Sequence, residues 1–345
     1  MADQHFDAEL SARSILRTQS DHGAIPWFPD GKLDPWNHVE CAMALDAQGY
    51  WREARAAYEW MADIQRPDGA WAAMYVDGKP TDATLDANFI AYVAAGCRLH
   101  FLHSGDIDFL VEMWPMMERA IEFVLDLQLP GGEIAWARDG DYRLWPAGLR
   151  TSSSCIYLSL RSAITIADEL GLAKPEWELG AVSLAEALTR PEAAFIEKDR
   201  FSMDWYYPVL SGAVAGRTAR RRLAEGWETF VIEGRGARCV SDRPWVTAGE
   251  TAELLIALCV AGEQERAEQL FGWLQHLRGH AGEYWMGATW PEGTIWPREA
   301  PTWCAAAVIL ASATLDRTSP TAQLFGAVGT GAEELDLSEP VADSL

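Results

Sequence analysis

Apolar side chains recur with helical spacing along most of the chain, and no convincing series of alternating strands interrupts them. The pattern predicts pairs of helices whose short joints fall at or near a glycine. The predicted helices cover residues 6–19, 34–48, 50–66, 82–103, 106–128, 151–170, 174–196, 204–214, 217–230, 247–261, 263–278 and 301–316.

The order of short and long connections predicts how these helices pack. Six helices follow long loops. In five cases a second helix follows across a short joint and can pack against the first as a hairpin. Helix 6–19 can complete the sixth pair by packing on helix 301–316. We therefore predict an all-α fold over residues 1–318, an (α/α)6 barrel of six helical hairpins closed by the N-terminal helix. The alternative is an open helical solenoid, but no fixed-period repeat is visible.

Beyond Arg317 the composition changes to Ser, Thr, Gly and acidic residues, which predicts a disordered acidic tail over 319–345. Within the barrel, the short joints lie at one end and long loops rich in Trp, Asp and Gly at the other. Long loops on a rigid scaffold commonly carry binding groups. The start of each inner helix would then bring acidic residues to the rim of a cavity: Asp34, Asp82 or Asp86, Asp204 and Glu250.

The segment Asp34–Glu40 combines a carboxylate, an indole, an amide and a second carboxylate within two helical turns. Asn37 and Glu40 are three residues apart and therefore share a helix face. This set suits a hydroxyl-rich ligand. The alternative is that Asp34 only caps the helix, with Pro35 at the first helical position and Trp36 in the core. Asp82, Ser152 and Asp204 also suit a capping role.

Glu250 is harder to explain as a cap because Glu is a poor N-cap residue, although it can stabilise the helix dipole. Hydrolysis of a glycosidic bond needs one protonated carboxyl group and one ionised carboxylate. Our hypothesis is that Glu250 is the acid and Asp34 the base, at the wider separation used by inverting enzymes. The reserve candidates are Asp139, Asp141, Asp204 and Glu292.

The chain has seventeen tryptophans, many of them in the long loops, where indoles can stack on sugar faces. The loop tryptophans are Trp27, Trp71, Trp136, Trp145, Trp245, Trp285, Trp290 and Trp296. The predicted substrate-binding residues are Trp36, Asn37, Glu40, Trp71, Asp86, Trp136, Asp139, Asp204, Trp245 and Trp290.

Charge and composition limit the partners. A formal charge of −23 argues against nucleic acid and anionic membrane, and no apolar stretch is long enough to span a bilayer. The first residues lack the pattern of a signal peptide, which indicates a cytoplasmic protein. The six cysteines show no CxxC pair and the seven histidines no ligand cluster, so neither a metal nor a cofactor is expected. The oligomeric state, the sugar and its linkage stay open.

Several segments resemble the glucoamylase-like six-hairpin glycosidases. The resemblance covers most of residues 20–316 and implies an (α/α)6 barrel that cleaves an α-linked glycan with inversion. The catalytic acids of that family are glutamates, so Asp34 departs from its pattern. The segments that carry the resemblance are Thr81–Asn88, Ser104–Phe109 with Trp114-Pro115, Gly132–Asp139 and Thr151–Tyr157.

The compact length, the Ala/Arg-rich composition and the segments Asp34–Glu40 and Trp296–Trp303 also resemble mycobacterial endo-α-mannosidases of methylmannose polysaccharide. O-methyl groups on the substrate would suit a site rich in indoles.

Two other functions are compatible with the sequence. Gln65-x3-Gly69-x-Trp71 matches the Gln/Trp motif of terpene cyclases, which share the (α/α)6 barrel with protein prenyltransferases. However, the match occurs once rather than in series, and the protonating DxDD motif of these cyclases is absent. The nearest acidic run, residues 106–109, has Phe109 in place of the last Asp. A glycan-binding protein without activity is the third possibility.

Overall fold

The computed structural model describes residues 6–190 and 195–326, and its helices form two concentric rings. The inner helices are α2 (Pro35–Ala47), α4 (Ala87–Ala91) with α5 (Val93–Ser104), α7 (Arg150–Glu169), α9 (Ser202–Leu210), α11 (Ala248–Val260) and α13 (Thr302–Leu315). The outer helices are α1 (Ala8–Leu16), α3 (Trp51–Ile64), α6 (Ile107–Leu125), α8 (Pro175–Thr189), α10 (Gly216–Phe230) and α12 (Gln264–Leu274).

The inner ring is closed. Each inner helix packs against the next one along the chain, and α13 packs against α2. Helix α1 lies on α13 and supplies the sixth outer helix. The predicted (α/α)6 barrel is therefore confirmed, and closure excludes the open solenoid.

The hydrophobic pattern explains which helices are inside. In α13, residues 305–310 form an unbroken apolar run that is buried, because one face meets the outer ring and the other the bore. In α10, by contrast, Ala219 and Leu223 are buried while Arg220 and Arg221 are exposed. An all-round apolar helix therefore belongs to the inner ring and an amphipathic helix to the outer ring.

The long loops contain short antiparallel strands, which the helical periodicity did not predict. They form the sheets β1-β2-β3, β4-β5-β6, β9-β10-β11 and the pair β7-β8. The strands are β1 (Lys32–Leu33), β2 (Met74–Val76), β3 (Lys79–Asp82), β4 (Leu85–Asp86), β5 (Ala137–Arg138), β6 (Leu144–Trp145), β7 (Val231–Ile232), β8 (Gly236–Ala237), β9 (Trp245–Thr247), β10 (Gly287–Thr289) and β11 (Thr294–Ile295).

Two predicted helices have different bounds in the structure. The segment 82–103 becomes helical only at Ala87, because Asp82 pairs with Met74 in a sheet and β4 follows. The segment 174–196 ends its helix at Thr189, and residues 191–194 lie outside the described part.

The prediction of a disordered tail over 319–345 is wrong for its first residues. Pro320–Phe325 form a helix, α14, whose start is capped by the Ser319 hydroxyl. Helix α14 packs on α5 and α13, and Phe325 is buried. The composition signal missed it because four of its six residues are buried only through tertiary contact. Residues 327–345 lie outside the described residues.

The Gln/Trp motif at residues 65–71 has a structural role. The Gln65 side-chain amide donates to the Gly69 carbonyl at 2.9 Å and to the Met116 carbonyl at 2.8 Å, which ties α3 to α6. A Cβ on Gly69 would lie 2.4 Å from the Arg119 carbonyl oxygen, so only glycine fits there. The same arrangement occurs after two other outer helices, with Gln19 and Gly23 following α1 and Gln128 and Gly132 following α6.

In the part of the chain that the structure describes, no helix is long and apolar enough to cross a membrane.

Candidate active site

The inner helices begin at the end of the barrel that carries the long loops, which we call the mouth. Asp34 and Asp86 precede α2 and α4, while Asp204 and Glu250 lie in the first turns of α9 and α11. Four of the predicted carboxyl groups therefore start inner helices, as expected. Of the two alternatives on the second inner helix, the structure selects Asp86, since Asp82 is exposed in β3.

Asp34 is 1% exposed and held by three donors. Its Oδ1 accepts the Asn37 backbone N–H at 2.9 Å, so Asp34 does cap α2. Its Oδ2 accepts from the Asn37 side-chain amide and from Trp27 Nε1, both at 2.6 Å. Burial raises the pKa of Asp34, and these hydrogen bonds oppose the rise.

Glu250 accepts a hydrogen bond from the hydroxyl group of Thr247, the residue that precedes α11. It is half-buried, more accessible than Asp34. Trp303 in the first turn of α13 lies between the two acids: its ring packs on Gly249, and it meets Trp27 edge-on with centroids 5.7 Å apart. Asp34 and Glu250 therefore flank the start of α13.

Asp86 caps α4 by accepting the backbone N–H groups of Asn88 and Phe89. Burial raises the pKa of Asp86 to about 7, and the nearby charge of Asp34 adds to the rise. A carboxyl group with this pKa is partly protonated near neutral pH and can therefore donate a proton. Asp86 is thus a second acid beside Asp34 at the mouth.

Two more carboxyl groups lie deeper in the bore. Glu40 is 4% exposed and Glu253, one turn below Glu250, is 6% exposed. Both line a cavity of about 10 Å³, which is roughly the room for one water molecule. Glu253 accepts hydrogen bonds from the hydroxyl groups of Tyr206 and Tyr207, whereas Glu40 Oε2 has no hydrogen-bond partner among the residues that the structure describes.

Burial raises the pKa of both deep carboxyl groups. The pKa of Glu253 is raised to about 8, mainly by burial and further by the charge of Glu250, against the two tyrosine hydrogen bonds. Burial also raises the pKa of Glu40 well above its usual range, with contributions from Glu253 and Asp34. Below the acids of the mouth there are therefore two buried carboxyl groups whose pKa values are both raised.

Glu40 is predicted to bind substrate on the same helix face as Asn37. The structure instead places it below the mouth, in the bore of the barrel. Glu253, Tyr206 and Tyr207 were not predicted at all. The available signal was spacing, because Glu253 follows Glu250 by three residues and therefore shares its helix face.

Several predicted tryptophans are half-buried at the mouth end. Trp36 stacks on Tyr92 with centroids 5.2 Å apart, and Trp136 packs against Trp145 at 5.5 Å. Trp245 meets Trp296 edge-on at 5.2 Å. Trp290 is covered by the Arg235 guanidinium at 3.9 Å from the ring centroid.

The prediction for Trp71 is wrong. Trp71 is 1% exposed, and its Nε1 donates to the Met61 carbonyl at 2.9 Å, so the indole is part of the core between helices. Burial removes the ring face that a sugar would need.

Asp139 and Asp204 are engaged by the protein itself. Asp139 accepts the backbone N–H groups of Asp141 and Arg143 in the β5–β6 turn. Asp204 accepts from the Thr151 backbone N–H and hydroxyl, which ties α9 to α7. Asp204 also borders a cleft of about 540 Å³ whose lining includes Arg150 and Arg222 but neither Asp34 nor Glu250. Asp139 thus stabilises a turn, and Asp204 accepts from the first turn of α7 rather than capping its own helix α9, which has no side-chain cap hydrogen bond.

Among the described residues, no group of three His, Cys, Asp or Glu side chains could hold a metal ion. The six cysteines are unpaired, and five of them are buried.

The chain is similar in sequence to the MMP endo-(1,4)-3-O-methyl-alpha-D-mannosidase of Mycolicibacterium hassiacum. The two are 47% identical over 318 residues, which cover 92% of this chain and 88% of the relative. No family model matches the chain.

Solved structures with this fold are more distant in sequence. A glycosidase variant in complex with glucose superposes with a TM-score of 0.70 at 14% identity, covering 93% of this chain and 96% of that one. The GH63 mannosylglycerate hydrolase of Thermus thermophilus gives 0.68 at 13% identity, with 88% and 99% covered. A D-mannose isomerase gives 0.68 at 12%, with 92% and 95% covered. The fold thus also carries isomerases, so these likenesses support the architecture alone.

Proposed function

Since the chain belongs to the family of the MMP endo-(1,4)-3-O-methyl-alpha-D-mannosidase and is a glycoside hydrolase, we propose that it cleaves internal α-1,4 bonds of a 3-O-methylated mannan. The reaction uses Glu250 as general acid and Asp34 as general base, with inversion at the anomeric carbon. The observation that carries the proposal is the placement of these two carboxyl groups at the mouth, on either side of the start of α13. Because the chain belongs to a family of glycoside hydrolases, we no longer consider the terpene cyclase and the non-catalytic glycan-binding alternatives.

The surroundings of the two acids support the division of roles. Burial raises the pKa of Asp34, but the hydrogen bonds that it accepts oppose this rise and hold the carboxylate in a fixed orientation, which suits a base. In its ionised form this carboxylate can take a proton from water. Glu250 accepts only one hydroxyl hydrogen bond and is half-buried, so its carboxyl group is more accessible than Asp34 to the leaving oxygen of a bound glycan.

Asp86 is the competing candidate for the acid. Its pKa of about 7 suits proton donation near neutral pH. In favour of Glu250, its helix α11 is separated from α2 by α13, whereas α4 is next to α2, so Glu250 suits the wider separation from Asp34 that an inverting reaction needs. Asp86, by contrast, lies on the neighbouring helix α4, close enough to Asp34 for the Asp34 charge to raise its pKa.

The half-buried indoles of Trp36, Trp136, Trp245 and Trp290 support a substrate with apolar groups. A methyl group on a sugar oxygen replaces a hydroxyl donor by apolar surface, which gains free energy when an aromatic ring covers it. We therefore assign these residues, with Asn37 beside Asp34, to binding the methylated chain.

We also propose a cytoplasmic location, because all six cysteines are unpaired and such thiols persist in a reducing compartment. The formal charge of −23 favours a neutral polysaccharide over nucleic acid or an anionic membrane as partner.

The test is incubation of the purified protein with α-gluco- and α-manno-oligosaccharides, with and without 3-O-methyl groups, followed by mass spectrometry of the products. The variants are Glu250→Gln and, as a matched control, Glu265→Gln at the opposite end of the same hairpin. Cleavage of methylated mannosides by the wild type and the control, but not by Glu250→Gln, is expected. No cleavage of any glycan would overturn the proposal, and preference for glucosides would overturn its substrate.

A further inference from the structure

The exposed ring of Trp145 shares a sheet face with an acid of the mouth. In the sheet β4-β5-β6, Asp86 is paired with Ala137 and Ala137 with Trp145. Residues paired across antiparallel strands project from the same face. Arg138, on the opposite face, lies over the ring of Phe123 in outer helix α6. The face with Asp86 and Trp145 is therefore the one toward the mouth, and Trp145 is 51% exposed on it.

The same pairing argument shows which face of the sheet β9-β10-β11 carries Trp296. In the sheet β9-β10-β11, Thr247 is paired with Gly287, and the Trp296 backbone N–H donates to the Gly287 carbonyl. Ile295 is paired with Ala288 on the buried face, so Trp296 projects on the other face, together with Thr247. Thr247 donates its hydroxyl to Glu250, so Trp296, which is 57% exposed, lies on the Glu250 side of its sheet.

Each exposed indole is backed by a second one. Trp145 packs against Trp136, and Trp296 against Trp245, whose Nε1 donates to the Trp296 carbonyl at 2.6 Å. These contacts hold the rings in place without covering them. A preformed ring loses little conformational entropy when a ligand stacks on it.

The ring order sets the two sheets apart. The sheet with Trp145 connects to the starts of α4 and α7, and the sheet with Trp296 to those of α11 and α13. In the closed order α2, α4/α5, α7, α9, α11, α13, these two positions are half a ring apart. Of the acids of the mouth, Asp86 lies on the Trp145 side, Glu250 on the Trp296 side, and Asp34 on α2 between α13 and α4.

We infer that Trp145 and Trp296 are two opposed glycan-binding platforms, and that one methylated oligosaccharide chain lies across the mouth from one indole to the other. This rests on the proposed function and adds two binding positions to it, one on each side of the cleaved bond. Each indole stacks on the CH-bearing face of a sugar, and O-methyl groups extend the apolar area that it covers. A chain held on both sides is cut at an internal bond.

The experiment compares Trp145→Ala and Trp296→Ala on a long 3-O-methylated α-1,4-manno-oligosaccharide labelled at its reducing end. Trp51→Ala is the matched control, because Trp51 is also exposed, at 45%, but lies at the short-joint end of the barrel. The readouts are the position of the cleaved bond and kcat/KM for long and for short substrates. Trp145→Phe and Trp296→Phe serve as conservative variants that keep an aromatic face.

We expect each alanine variant to lower kcat/KM on the long substrate by roughly three- to tenfold, the value of one aromatic contact. The preferred cleavage position should move in opposite directions in the two variants, and both phenylalanine variants should restore it in part. Cleavage patterns identical to that of Trp51→Ala, or a shift in the same direction in both, would overturn the inference while leaving the proposed function intact.

If the wild type cleaves no glycan, the proposed function fails. The platforms are then judged by calorimetric binding of the same oligosaccharide, and equal affinities in Trp145→Ala, Trp296→Ala and Trp51→Ala overturn them.

Discussion

Glu40 and Glu253 line the same small cavity in the bore of the barrel, and the charge of Glu253 raises the pKa of Glu40. They come from inner helices α2 and α11, on either side of α13. Two buried carboxyl groups that line one small cavity cannot both be ionised without a large cost in free energy. The pair therefore keeps at least one proton where exposed glutamates would have none.

This relationship predicts a pH-dependent stability. The usual glutamate pKa is 4.5, and Glu253 is raised to about 8 in the folded protein. Between these values the folded state binds more protons than the unfolded state, so stability falls as pH rises from about 4.5 to 8. We expect Glu253→Gln to flatten the dependence of Tm on pH in this window, measured by calorimetry. An equal slope in Glu253→Gln and in the exposed control Glu265→Gln would contradict the assignment.

The catalytic pair is tested by Glu250→Gln and Asp34→Asn. Loss of a general acid or base lowers kcat by roughly 10²- to 10⁴-fold. Asparagine is as good an N-cap as aspartate, so Asp34→Asn should keep the start of α2 and lose activity without unfolding. Circular dichroism checks the fold and product formation the rate. Retention of wild-type activity in both variants would rule out this pair.

Asp86→Asn separates the two candidate acids. As pH rises through about 7, Asp86 loses its proton. If Glu250 is the acid, the variant should stay within about tenfold of wild-type kcat, and a titration near pH 7 should disappear from the rate profile. A loss of roughly thousandfold, with Glu250→Gln less affected, would make Asp86 the acid instead.

Trp71 should matter for stability and not for binding. Because it is fully buried, Trp71→Ala is expected to lower the free energy of unfolding by roughly 3–5 kcal/mol in urea titration. The KM of the folded protein should stay unchanged. The exposed control Trp51→Ala should change stability by less than about 0.5 kcal/mol. A raised KM in Trp71→Ala without loss of stability would restore the sugar-binding interpretation.

Helix α14 should contribute to the barrel core through Phe325, which lines the cavity below Glu40. Phe325→Ala is expected to cost roughly 3–5 kcal/mol of unfolding free energy. Phe325→Leu preserves most of the volume and should cost less than about 1.5 kcal/mol. Two variants as stable as the wild type would mean that α14 is not docked in solution.

The sequence alone determined the architecture, because the signals it rests on are local. Helical periodicity, the cap at Asp34, and short glycine joints such as Gly105 depend on residues within one or two turns. The number and order of helices then allowed one closed ring. The same local signals brought Asp34, Asp86 and Glu250 to one end of it.

Only the tertiary structure decided which side chains lie in the bore, on the rim or in the core. Trp71 and Trp296 sit in similar Gly/Pro-rich loops, yet one is buried and the other is 57% exposed. The pairing of Glu40 with Glu253 joins helices far apart in sequence, and strands of two to four residues are too short to show a period. Burial and carboxyl coupling depend on what packs against a residue, and that information is not carried by its neighbours along the chain.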